Sequence, residues 1–372
     1  MKIPFSPPYI DEAVIKEVVD SLRSGWITSG PKVKALEEEI KVFSNAKEVL
    51  CVNSWTSGAI MMLRWLGVTA EDEVIVPAYT YSATALAVLH AGAKPVMVDS
   101  GEDFNISVDA IRKAITPRTK AIIPVHYAGR PCDMDAFLKI KEETGIRIIE
   151  DAAHAFGTYY KGKKIGSFGD ITCFSFDSIK VMTCGEGGAI VTNDPDFDDL
   201  SRKKRLLGID RKTMHVKDWK KRSWIYDVPT LGYRYHMSNI NAAIGLAQIK
   251  KVDKFIARRR ELCHLYDNEL RDVKGIERMP EGYDTITPFM YVIRVKDGNR
   301  NQLKDFLMEH DIESGISYIP CHHFSLFHKD TDNLPITDQI FEEILCLPMH
   351  YELSDNDVKE VANVIKEFCN NN

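Results

Sequence analysis

The chain has 372 residues, a net charge of −6 and 27% charged residues, with both signs mixed along it. That length allows one large core and a smaller one, and there is no basic arm or stripe of the kind that binds nucleic acid. The opening MKIPFSPPYI carries prolines and no apolar signal core, and no apolar run reaches the length of a membrane span, so a cytoplasmic protein is expected.

In chain order, residues 11–23 (DEAVIKEVVDSLR) place Val14, Val18 and Leu22 on one helical face. SGWITSGP (24–31) is a loop, and Pro31 opens a helix to about residue 43. VLCVN (49–53) is a buried strand, and NSWTSG (53–58) leads into an apolar helix over 59–66. EVIVP (73–77), PVMVD (95–99), AIIPVH (121–126) and IRIIED (146–151) are further strands, with helices expected within 79–92 and over 133–144. Strands alternating with helices of this length indicate a parallel sheet covered on both faces. Ligands bind such sheets at the carboxyl ends of the strands. The stretch 208–238 is polar and aromatic with little periodicity, and a loop of that length serves function or an interface. A long helix over 239–260, a strand at 288–295 and helices over 299–310 and 355–368 follow. The expected division is a large domain over 1–249, including the N-terminal segment, and a smaller C-terminal α/β domain over 250–372.

The stretch ITCFSFDSIKVMTCGEGGAIV (171–191) carries the chemistry. It reads as a strand, a turn bearing Lys180, a glycine-rich bend and a second strand. A lone lysine past a strand end, among apolar and small residues, loses its charge more easily than an exposed one and becomes a nucleophile for carbonyls. An ordinary surface lysine at a turn is the plainer alternative. Asp151, at the end of IRIIED, weighs against it, because a Schiff base to pyridoxal phosphate needs both a lysine and an anion against the pyridine nitrogen. His154 follows closely, suited to bond the ring's phenolic oxygen or to pack on the ring, with a hydrogen-bonded structural histidine as the plainer alternative. Thr56 and Ser57, at a helix start, offer hydroxyls and backbone donors to a phosphate, although an N-cap alone explains them equally well. Ser175 sits between two aromatics, and Tyr81 follows a strand end, where its ring has a pyridine face or the core to pack on. The eight cysteines lack a CxxC pair and read as buried thiols in a reducing compartment. Cys321-His322-His323 has no second ligand cluster at zinc spacing, so no metal is expected.

Taken together, SGWITSGP (24–31), DEVIVPAYTYSATA (72–85), EDAAHAFGTYYKGKKIGSFGD (150–170), FSFDSIKVMTCGEGG (174–188) and GYRYHMSNINAAIGLAQI (232–249) resemble the DegT/DnrJ/EryC1/StrS family of pyridoxal-phosphate-dependent sugar aminotransferases. The likeness runs over nearly the whole chain and is nearest to the branch that makes UDP-4-amino-4-deoxy-L-arabinose. It implies an α/β, aspartate-aminotransferase-like fold of type I, with a mostly parallel sheet in the large domain, and a homodimer with shared active sites. By the same resemblance Lys180 is the Schiff-base lysine, Asp151 the pyridine-nitrogen carboxylate and Tyr81 the stacking aromatic. Thr56, Ser57 and Ser175 become phosphate contacts, and His154 lies beside the ring oxygen. The chain departs from the family pattern at Trp55, where many members have Gly or Ala. It departs again at GYRYHM, where Arg234 takes the place of a phosphate-binding Asn and His236 that of an Arg. In 315–320, Ser317 stands where His is frequent, while His322 matches a later histidine.

The implied reaction passes an amino group from glutamate, leaving 2-oxoglutarate, through pyridoxamine phosphate to a nucleotide-linked keto sugar. A UDP-linked 4-keto sugar is favoured, for surface polysaccharide or lipid A. Trp26, Thr28, Ser29, His322 and the loop after Gly208 are the candidates for gripping it. The alternatives are a 3-keto-sugar aminotransferase, a sugar dehydratase, a lyase or desulfurase, and a non-catalytic regulator on the same fold. The dehydratase relatives carry histidine at the lysine position, so Lys180 opposes that reading. A desulfurase wants a reactive cysteine on a mobile loop, and neither Cys184 nor Cys321 sits in such a motif.

Overall fold

A computed structural model describes residues 3–194, 197–210, 226–280, 282–327 and 333–371. Its centre is a seven-stranded sheet built from β1 (Glu48–Val52), β2 (Glu73–Pro77), β3 (Lys94–Val98), β4 (Thr119–Ile122), β5 (Arg147–Asp151), β8 (Ile171–Ser175) and β9 (Gly188–Thr192). A two-stranded hairpin, β6 (Tyr159–Tyr160) with β7 (Lys163–Lys164), separates β5 from β8. The strand order is β1-β9-β8-β5-β4-β2-β3. β9 runs antiparallel to both neighbours, and every other pairing is parallel. Strands β2, β8 and β9 are buried along their whole length, as expected where helices cover both faces. Because the other six strands share a direction, the residues after β1, β2, β4, β5 and β8 meet at one edge. β9 starts at that same edge.

Local signals set the flanking helices. Asp11 accepts from Val14 N at the start of α1 (Glu12–Ser24), and Gly25, at φ 70°, ends it. Pro31 opens α2 (Pro31–Ser44). α3 (Trp55–Trp65) begins earlier than the apolar pattern suggests, because Ser54 caps it through Ser57 N. Thr56 and Ser57 therefore lie in its first turn. α4 (Ala83–His90), α5 (Val108–Ala114), α6 (Met134–Thr144) and α7 (Asp198–Arg205) complete the large unit with α8 (Asn239–Ile249), which packs against α1 and α2. The single helix expected over 239–260 is two, since the chain turns at Lys250 and Lys251 before α9 (Val252–Leu270).

The C-terminal part holds an antiparallel sheet of β10 (Ile276–Arg278), β11 (Tyr291–Val295) and β12 (Ile344–Leu347), with α10 (Arg300–Glu309), α11 (Pro335–Glu343) and α12 (Asp355–Asn371). Its core joins Leu262, Tyr266, Leu303, Leu345 and Val361. Ile3 belongs to this core, not to that of the large unit. Ile3 N donates to Asp311 O at 2.8 Å, and Met349 N donates to Phe5 O at 3.0 Å. We propose that the two units divide between α8 and α9, at residues 249–250, with the N-terminal segment counted with the large unit although Ile3 itself packs into the smaller core. No helix among the described residues is long and apolar enough to cross a membrane.

Candidate active site

A cavity of about 390 Å³ opens at the carboxyl edge of the sheet. Thr56, Tyr81, Asp151, His154, Ser175 and Lys180 all line it. Asp151, the last residue of β5, is buried. Its Oδ2 accepts from Thr84 Oγ1 at 2.9 Å and its Oδ1 from Ala153 N at 3.1 Å. Burial raises its pKa to about 6, against the pull of those two hydrogen bonds and of the nearby Lys180 ammonium. Lys180 follows β8 on a turn closed by its own N–H to Asp177 O at 3.1 Å. Its Nζ lies 4.3 Å from the centre of the Phe289 ring. Burial lowers its pKa to about 8, opposed by Asp151 and Asp177. At neutral pH the protein without a ligand thus holds a carboxylate and an ammonium whose charged forms are both only weakly preferred.

His154 stacks on Phe289 at 4.2 Å and 16°, and its Nε2 lies 2.9 Å from Tyr318 Oη. Burial, with Lys180 and His126 nearby, pushes its pKa well below the usual imidazole value, so the ring is neutral. Behind Asp151, Cys132 N donates to His126 Nδ1 at 3.0 Å, which leaves the His126 proton on Nε2, facing Glu150 Oε2 at 3.1 Å. Glu150 also accepts from Gly169 N at 2.7 Å and Thr172 Oγ1 at 2.8 Å. This fully buried carboxylate is hydrogen-bonded on both oxygens and fixes the strand ends that carry Asp151.

The N-terminus of α3 forms another wall. Ser54 and Thr56 reach the cavity, while Ser57 sits just behind them, its Oγ 3.0 Å from Ser54 Oγ. Gly188 lets β9 run under this turn, since a Cβ there would lie 2.8 Å from Ser54 C and Trp55 N. Trp55 also lines the cavity and adds its bulk to the apolar cluster beneath α3.

The four proposed sugar-gripping residues and Arg234 do not line this cavity. Trp26, Thr28 and Ser29 form a loop tied to the start of α8: Asn239 N donates to Thr28 O at 3.0 Å and Asn239 Nδ2 to Trp26 O at 3.1 Å. Arg234 is exposed on a segment bridged to Leu206. His322 meets Asp338 at 2.9 Å, and His323 meets the same oxygen at 2.8 Å. Asp338 thus supplies the third candidate metal-ligand group that the sequence did not reveal, and its Oδ1 lies within hydrogen-bond distance of both imidazoles. Much of the loop after Gly208, 211–225, lies outside the described residues. Sequence reasoning missed Phe289, Tyr318, Thr84 and the His126–Glu150 pair. Each reaches the site through tertiary contacts that no local spacing announces.

A model of one protein family, the DegT/DnrJ/EryC1/StrS aminotransferase family, matches residues 8–366. The chain belongs to that family. The spore coat polysaccharide biosynthesis protein SpsC of Bacillus subtilis is 34% identical over 98% of this chain and 97% of its own. The uncharacterized protein MJ1066 of Methanocaldococcus jannaschii is 37% identical over 99% of this chain and 98% of its own. Among solved structures, Spr1654 of Streptococcus pneumoniae, described as a sugar aminotransferase and captured in a PMP form, superposes with a TM-score of 0.93. It is 34% identical, over 99% of both chains. PseC of Helicobacter pylori, described as an aminotransferase of pseudoaminic acid biosynthesis, has a TM-score of 0.94 at 27% identity over 100% of both chains. This DegT-family chain therefore has the α/β architecture of fold type I, with Lys180 and Asp151 facing one cavity.

Proposed function

We propose that this DegT-family aminotransferase moves an amino group from glutamate to a nucleotide-linked keto sugar. The favoured substrate is UDP-linked with its ketone at C4, on a route to a surface polysaccharide or lipid A. The observation that carries the reading is the meeting of Lys180, Asp151 and the hydroxyls of the α3 N-terminus on one cavity wall. These groups fit pyridoxal phosphate. A softened lysine charge, a buried carboxylate, and helix-end donors beside a Cβ-free glycine are what an aldehyde, a pyridine nitrogen and a phosphate require. When bound, that cofactor supplies an electron sink for the carbanion left when a carbon beside nitrogen loses its proton.

The residues of the chain do the rest. Lys180 Nζ is the covalent anchor and, once displaced, holds and moves the proton. Asp151, ionised above about pH 6, would hold the cofactor's ring nitrogen and favour its protonated form. Thr56, Ser57 and Ser175 receive the phosphate, and Tyr81 and His154 orient the ring. Trp26, Thr28, Ser29, His322 and Arg234 act on the sugar or on the phosphate of a partner subunit in a homodimer. The relation to SpsC supports a polysaccharide route. DesI, solved with its TDP-sugar product, brings TDP-linked sugars into the test.

That test is the absorption spectrum of the protein with pyridoxal phosphate, before and after glutamate, beside Lys180→Ala. A visible band that glutamate converts to the pyridoxamine form, and that the variant lacks, supports the reading. A panel of UDP-, TDP- and GDP-linked 3-keto and 4-keto sugars then names the acceptor. Failure of the wild-type protein to form the band would sink the assignment of Lys180.

A further inference from the structure

One hydroxyl on the cavity wall has no part in the reaction proposed above, that of Tyr318. It comes from the C-terminal part of the chain and is held from below by two tyrosines of the large unit. Tyr79 Oη donates to Ser317 O at 2.8 Å and accepts from Tyr318 N at 3.1 Å, and Tyr127 Oη also donates to Ser317 O. The Tyr318 ring centre stands 5.4 Å from that of Tyr81, which lines the same cavity. Its hydroxyl lies 2.9 Å from His154 Nε2.

The direction of that hydrogen bond follows from the rest of the imidazole. His154 is neutral and has one ring proton. Its Nδ1 is sealed from solvent and has no partner. A buried N–H without a partner is rarer in proteins than a buried acceptor without one. The proton therefore sits on Nε2 and is donated to Tyr318 Oη. Burial keeps the Tyr318 hydroxyl protonated, with Cys346, Asp151, Tyr81 and Asp177 adding to that effect, while burial first and the Lys180 charge second keep His154 neutral. With its lone pair occupied by His154, Tyr318 has one O–H left to give, on a cavity it lines.

We propose that Tyr318 gives this O–H to the phenolic oxygen of the cofactor ring, and that His154 acts on that oxygen through Tyr318 by orienting it. Tyr318 is thus a cofactor contact supplied by the smaller unit, and His154 is the positioning residue behind it. The inference rests on pyridoxal phosphate occupying the cavity. A donor on the phenolic oxygen draws charge from it and makes the cofactor-linked nitrogen of Lys180 less basic.

The experiment is a spectral pH titration of the enzyme with bound pyridoxal phosphate and no substrate. Tyr318→Phe should raise the midpoint of the visible transition by about one pH unit, the size expected for one hydrogen bond to a charged oxygen. Replacing Tyr318 with 3-fluorotyrosine keeps the shape, strengthens the donor, and should lower the midpoint. His154→Gln combined with Tyr318→Phe should titrate where Tyr318→Phe alone does. Midpoints that ignore both changes at Tyr318 overturn the proposal. Fully additive shifts overturn the orienting role of His154. A wild-type protein with no visible band overturns the cofactor reading itself, and with it this inference, so the two failures are told apart.

Discussion

The cavity edge and the Trp26–Ser29 face hold residues of the same expected importance under opposite physical conditions. Asp151, buried at the end of β5, and Lys180, half-buried on the turn after β8, stand where sheet hydrogen bonds fix the nearby backbone and desolvation moves both pKa values. Trp26 and Arg234 are exposed and do not line the cavity that Lys180 and Asp151 face. Chemistry needs a dry, rigid place to shift proton affinities. A bulky sugar nucleotide needs a wide surface, and surface is where a second subunit has access. The comparison teaches that one chain gathers Lys180, Asp151 and Thr56 on a single cavity wall, while Trp26 and Arg234 stay outside it.

The comparison breaks most sharply at Lys180. Lys180→Ala should lower transamination at least about 10⁴-fold, because nucleophile and proton carrier are lost together. Single-turnover conversion by glutamate measures this, and retention of more than a hundredth of the rate would show that the cavity does not hold the chemistry. Asp151→Asn comes next. It keeps volume while removing charge, and a fall of about 10²–10³-fold in the glutamate half-reaction is expected.

The pH dependence of folding probes the same wall without the cofactor. Lys180 titrates near 8 in the folded chain, against 10.5 when unperturbed. Between those values the unfolded chain binds more protons, so stability rises with pH through that window. Urea unfolding of the cofactor-free protein should gain about 2 kcal/mol from this residue between pH 8 and 9.5. Lys180→Met should abolish that gain, and an identical slope in the variant would mean that the amine is not desolvated.

The smallest effect is expected on the open face. Trp26→Ala should leave the cofactor spectrum unchanged and raise KM for the sugar about tenfold, as removal of a peripheral contact does. A changed spectrum would place Trp26 at the cofactor and erase the contrast between the two regions.

The sequence by itself determined the parallel sheet, the carboxyl-edge location of the site, and the pairing of Lys180 with Asp151. These depend on apolar runs, strand ends and turns, which are local properties of the chain. Local signals also marked Ser175 and the α3 N-terminus, though the helix began at Trp55, because an N-cap serine outweighs the apolar pattern downstream. Only the tertiary structure decided that Phe289 lies under Lys180, that Glu150 and His126 stand behind Asp151, and that Ile3 joins the C-terminal core. It also brought Asp338 to His322 and Tyr318 to His154. These contacts join segments far apart in the chain. They follow from how the two units pack, and periodicity and turn chemistry carry no record of that packing.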